Sequence, residues 1–252
     1  MESAAVLALP ALEPEPEPEP APPVPASAAP EPDPAALGML DLILRGQSRL
    51  TRLLLDERAL PVAVQRLLAL SLLGLGVHGL VVGFGAQMLH TALPWGGPLG
   101  HPVVWMPLAL VLAFLGGLCV CLPSFYFYTQ LAGLDASFRL VTAQALRAQA
   151  TTAVLLLGVA PFYAAMVLGC VAGAVADAPR VVLAGVVLPF VVGLHGQRAL
   201  YRGFSELLTV LPVTHRRRGH FLQRMIVCWT VVYAAVAPVA LVRLAQTFAP
   251  LI

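Results

Sequence analysis

The sequence predicts an all-α fold: a polytopic transmembrane helical bundle of about five spans, with interfacial amphipathic helices and a disordered Pro/Glu-rich N-terminal tail. Three observations carry this reading. Of 252 residues, 59% are hydrophobic and only 11% charged, against roughly 25% charged in an ordinary soluble domain. The mean hydropathy is +0.84. Long apolar runs recur along the chain, separated by polar or Gly/Pro-rich stretches. Such a composition cannot supply the charged shell of a soluble enzyme, and it points to a membrane protein. A net charge of +2 also argues against a nucleic-acid partner, which calls for a strongly basic surface.

The tail, residues 1–35, is low in complexity and carries the run EPEPEPEP; eleven of the 23 prolines fall in residues 1–34. Proline favours extended polyproline II, and the glutamates repel one another. With little apolar surface to bury, the segment is expected to stay solvated, as a spacer or as the ligand of a protein partner. The opening residues have no basic region ahead of an apolar run, so the first span is expected to serve as an uncleaved membrane signal.

Residues 36–60 read as an amphipathic helix at the cytoplasmic interface. Asp41, Arg45, Arg49, Arg52 and Asp56 form one polar stripe, and Leu40, Ile43, Leu44, Leu50, Leu54 and Leu55 cover much of the rest. The apolar face is expected either in lipid or against the bundle, with the arginines toward anionic headgroups, and Pro61 is expected to end the helix. Residues 61–252 form the transmembrane domain. Its spans are expected at about 67–89, 102–122, 151–176, 180–200 and 225–248. The turn DAPR at 177–180 joins the third and fourth as a hairpin. Residues 124–130, SFYFYTQ, suit a membrane–water interface, and a second interfacial helix is expected over 130–148.

Every basic residue is arginine. Residues 1–44 hold eight acids and no base, whereas residues 45–252 hold fifteen arginines and five acids. With the N-terminus cytoplasmic and five crossings, thirteen arginines fall inside and only Arg180 and Arg243 outside. The positive-inside rule therefore selects an N-in, C-out topology. Arginine usage with abundant Ala, Leu, Val and Pro suits the cytoplasmic membrane of a GC-rich bacterium.

Candidate functional residues are few. His78 lies near the middle of the first span, where a neutral ring needs partners, and Tyr163 and Tyr233 lie at similar depth. Gly79 and Gly83 form a GxxxG step, and Ala165, Gly169 and Gly173 repeat that spacing in the third span. These faces suit close packing within the chain or a homo-oligomer. Arg216, Arg217, Arg218 and Arg224 precede the last span and suit anionic lipid headgroups or an acidic partner. Pro161, Pro189 and Pro238 each free a carbonyl one turn upstream, as in the broken helices of transporters. Asp135, Asp177 and Glu206 read as loop residues, which leaves no intramembrane carboxylate for ion coupling. Cys119, Cys121, Cys170 and Cys228 read as small packing residues. No enzyme motif or metal-ligand spacing occurs, and no cofactor is expected; His78 and His195 differ too much in depth to share a haem.

The stretch CLPSFYFYTQLAGLDASFRL, followed by GVAPFY, resembles uncharacterised bacterial multi-spanning proteins. It is loosely similar to the Yip-type membrane protein family, over about residues 40–250. That family is also five-spanning with a cytoplasmic N-terminal region. Its Asp-Leu-x-Gly-Pro motif has no match in this chain, so no residue role is carried over. The resemblance implies membrane organisation or trafficking-like scaffolding. The expected function is thus a non-enzymatic membrane scaffold or partner-docking component, with a permease-like subunit as the alternative.

Overall fold

Residues ahead of several apolar runs are good helix formers, so the helices of the first, third and fifth runs begin well before the expected spans, while that of the third ends at Val171, short of the expected 176. A computed structural model of the chain describes residues 38–90, 101–173, 177–210 and 219–248. Two short helices, α1 (Met39–Arg45) and α2 (Gln47–Leu55), precede α3 (Leu60–Met88). Then come α4 (Pro102–Val111), a π-helical turn (Leu112–Gly116) and α5 (Gly117–Leu131), which together make one rod. The chain continues with α6 (Phe138–Val171), α7 (Ala178–Val210) and α8 (Gly219–Phe248). No strand occurs among the described residues. Among the described residues, five helices are long and apolar enough to cross a membrane: Leu60–Met88, Pro102–Leu131, Phe138–Val171, Ala178–Thr209 and Arg224–Leu244. The chain is an all-α, multi-pass membrane protein.

Several local expectations change. The helix expected over 36–60 is two helices, broken at Gly46, whose φ of −113° and ψ of 45° leave the helical region. Their apolar face is divided: Ile43, Leu50 and Leu54 are buried against protein, whereas Leu40 and Leu44 are exposed. Pro61 does not terminate this segment. It sits in the first turn of α3, where its missing N–H costs no hydrogen bond. The helix expected over 130–148 is instead the first part of α6, entered through Ser137, whose side chain accepts from the Leu140 N–H at 3.2 Å. Likewise Arg202 and Glu206 lie on α7, not in a loop. At 1.5 Å per residue, the 34 residues of α6 and 33 of α7 run about 50 Å, well beyond a hydrocarbon core of about 30 Å. The tail 1–35 lies outside the described residues, as do Arg216, Arg217 and Arg218.

The centre of the bundle is α6, flanked by α3 and α7, with α4 on the far side of α3. Glycines set these approaches. A methyl group on Gly74 would meet the backbone of Ala153, one on Gly79 the backbone of Pro107, and one on Gly83 the backbone of Pro102. The GxxxG step of α3 therefore packs against α4 of the same chain. The second small-residue stripe does otherwise. Ala165 and Gly173 are exposed and Gly169 is half-buried. Gly173 has a φ of +75° just beyond the end of α6, so its role is to end the helix, where a left-handed residue is needed. Of the cysteines, half-buried Cys170 packs against the core, Cys121 is half-buried, and Cys119 and Cys228 are exposed on the surface of the bundle.

Candidate functional site

Three polar clusters lie inside this apolar bundle. The first is built around His78, which is fully buried on α3. Its Nε2 lies 2.9 Å from the carbonyl oxygen of Gly185 on α7. A carbonyl can only accept, so Nε2 carries the proton. That carbonyl is available because Pro189, four residues on, has no N–H to offer it. The sequence marks Pro189 as freeing a carbonyl, and the fold delivers His78 to it. Tyr163 is a neighbour of His78 but not its hydrogen-bond partner. The rings lie 5.9 Å apart, and the Tyr163 hydroxyl donates to the Val181 carbonyl at 3.2 Å. Gly185 lets the two helices meet, since a Cβ there would strike the Tyr163 ring. The Nδ1 of His78 is buried without a partner among the described residues.

The second cluster surrounds Tyr233 on α8, well away from His78 in its bonding. Its hydroxyl donates to the Phe114 carbonyl at 2.6 Å and accepts from Gln149 Nε2 at 3.0 Å. Phe114 belongs to the π-helical turn, where the widened helix offers carbonyls outside the regular ladder. Close by, the Thr230 hydroxyl donates to Gln197 Oε1 at 3.2 Å. Gln149, Thr152, Gln197, Thr230 and Tyr233 line a cavity of about 30 Å³, the size of one water. The Oε1 of Gln149 is buried there without a partner among the described residues. Phe114 and Phe190, with ring centroids 5.2 Å apart, line it as well, and Trp229 stacks on Tyr233 with centroids 5.2 Å apart.

The third cluster joins the short helices to the bundle. Arg147 on α6 is 1% exposed. Its Nη1 donates to the Thr51 hydroxyl on α2 at 2.8 Å and approaches Gln144 Oε1 at 3.4 Å. Thr51 in turn donates to Glu206 on α7. A guanidinium and a carboxylate thus share one hydroxyl and hold α2, α6 and α7 together. Gly203 leaves room for this, since a Cβ there would meet the Gln144 side chain. Arg147 counts toward the inside charge in the sequence, yet it faces the interior and not the headgroups. Glu206 likewise serves the fold.

The sequence-selected residues therefore separate. His78 and Tyr163 come together, Tyr233 belongs to a second cluster, and Gly79 and Gly83 are packing contacts. Arg224 is exposed at the start of α8. Gly185, Gln149, Thr51 and Arg147 were not selected. Only Gly185 had a readable signal, its spacing of four residues before Pro189. No family model, curated protein or solved structure matches the chain, so nothing bears on the Yip-type resemblance.

Proposed function

We propose that this protein is a non-enzymatic scaffold of the bacterial cytoplasmic membrane, N-in and C-out, which presents a fixed cytoplasmic surface for docking a partner. The observation that carries this reading is the Arg147–Thr51–Glu206 cluster. It fastens α2, which follows directly on α1, to the two longest helices of the bundle. A platform held by a buried charge is stiff, which lowers the ordering cost of binding a partner. The acidic tail precedes this platform and would extend its reach, and the arginines at 216–218 and 224 would hold the inner face on anionic headgroups. Membrane organisation of the Yip type fits this arrangement.

A permease-like subunit is the second reading, favoured by the polar cavity around Gln149 and Tyr233. Against it, Pro161, Pro189 and Pro238 lie within continuous helices, and that cavity has space for about one water.

Photo-crosslinking in cells tests the scaffold reading. A crosslinking residue at Leu44 or Ser48, both exposed, is expected to capture one discrete protein. Thr51→Val, which removes the hydroxyl that Arg147 and Glu206 share, is expected to weaken the adduct strongly while the bundle still inserts. Adducts that survive Thr51→Val unchanged, or lipid adducts alone, would contradict the reading.

A further inference from the structure

The outer surface between α7 and α8 carries a groove of about 400 Å³. Its walls change character along their length. Leu194 on α7 and Val231 on α8 form one end, and Arg198, Tyr201 and Arg202, with Val227 opposite them on α8, form the other. The Thr230–Gln197 hydrogen bond lies in its floor, and Leu194, Gln197 and Thr230 also line the inner cavity. The three aliphatic residues are open to the outside: Leu194 is 52%, Val227 55% and Val231 64% exposed. In a membrane protein such a surface faces acyl chains.

Arg198 and Arg202 are four residues apart on α7, and both are exposed. Like charges at that spacing repel. No acidic side chain pairs with either among the described residues. The nearest acid along α7, Glu206, is engaged by Thr51. Both arginines also border a second groove of about 230 Å³ beside Ile43, Leu155 and His195, so the pair sits on a ridge between two grooves. The antiparallel contact of Thr230 with Gln197 places Arg224, at the start of α8, level with Arg202. Three arginines thus gather where the apolar stretch of α7 ends, which is headgroup depth.

We propose that this groove seats one anionic phospholipid, its phosphate held between Arg198 and Arg202 and one acyl chain laid along Leu194, Val227 and Val231. The polarity of the groove matches that of the lipid in direction: Arg198 and Arg202 lie at the aqueous end, and Leu194 and Val231 lie toward the bilayer centre. A planar guanidinium can grip a phosphate with two parallel hydrogen bonds. The Tyr201 side chain, half-buried at the same level, supplies an amphipathic wall suited to the interface. The seat requires only that the chain crosses the membrane, and it is independent of the scaffold role.

Native mass spectrometry of the full chain in detergent tests this, with phosphatidylglycerol and phosphatidylcholine of equal chain length as probes. The wild type is expected to hold one phosphatidylglycerol in preference to phosphatidylcholine. R198Q/R202Q is expected to weaken that adduct by roughly tenfold to thirtyfold, following about 1 kcal/mol per arginine near a charged surface. R45Q, at an exposed arginine paired with Asp41, is the control and should change nothing. V231W, which fills the apolar end and leaves both arginines in place, is expected to weaken the lipid adduct as well. Glycerol phosphate, which has no acyl chain, is expected neither to bind nor to displace the lipid. Equal retention of the two lipids, or an adduct unchanged in both R198Q/R202Q and V231W, would overturn the proposal. So would binding of glycerol phosphate as tight as that of the lipid, which would leave a bare anion site.

Discussion

At the scale of single residues, His78 and Pro189 act as a pair although they lie on different helices and never touch through a polar atom of the proline. Proline removes a donor, Gly185 is left with an acceptor, and the imidazole fills it at 2.9 Å. In an apolar interior an unsatisfied carbonyl is costly, so each member makes the other necessary. A double-mutant cycle measures this. His78→Leu is expected to cost about 0.6–2 kcal/mol, the range of interhelical hydrogen bonds in membrane proteins. In a Pro189→Ala background the backbone N–H restored by the substitution can reach the Gly185 carbonyl, so the same change should cost distinctly less. His78→Asn retains a donor and should keep most of the stability. Strict additivity, read by reversible unfolding in micelles, would show that the two residues are not coupled. The sequence discloses half of this: His78 stands out as a polar residue deep in the first apolar run, and Pro189 as a break in the fourth. Their meeting depends on which faces of α3 and α7 pack, and hydropathy contains no such information. Arg147 was harder still. Read as a residue of an inside loop, it gave no sign that Thr51 and Glu206 would converge on it.

At the scale of elements, the same small-residue spacing has two outcomes. Gly79 and Gly83 lie where the backbone of α4 passes through the space a side chain would need. Ala165 points away from the bundle. Gly79→Val is therefore expected to push α4 off α3 and to destabilise the protein by about 1–3 kcal/mol, the usual cost of overpacking. Ala165→Val should stay within about 0.5 kcal/mol of the wild type, as surface changes do. Thermal unfolding of both variants in one detergent checks the contrast; equal losses would mean that both faces pack within the chain. Helix existence was readable throughout, because runs of some twenty apolar residues have few other solutions. Helix ends were not. The α6 helix reaches back to Phe138 through residues polar enough to look like a connection, since its first turns are buried by α1, α2 and α7 and not by lipid. The break at Gly46 was equally hidden within a continuous amphipathic pattern.

At the scale of the whole molecule, charge and hydropathy divide the protein into two ends. Arg45, Arg49, Arg52, Arg198, Arg202 and Arg224 lie toward one end of the bundle, and Arg180 and Arg243 toward the other. Arg180 pairs with Asp177 at 2.8 Å at the tip of the α6–α7 hairpin, which offsets its charge on the minority side. The docking platform and the basic inner face both require the arginine-rich end to be cytoplasmic. Cysteine accessibility in intact cells measures this polarity most directly. With Cys119, Cys121, Cys170 and Cys228 replaced by alanine, a single Ala92→Cys between α3 and α4 is expected to react with a membrane-impermeant maleimide from outside. A single Gly219→Cys at the start of α8 is expected to stay unlabelled until the membrane is opened. The reverse pattern would invert the protein, and labelling of both sites in sealed cells would mean that α7 does not cross.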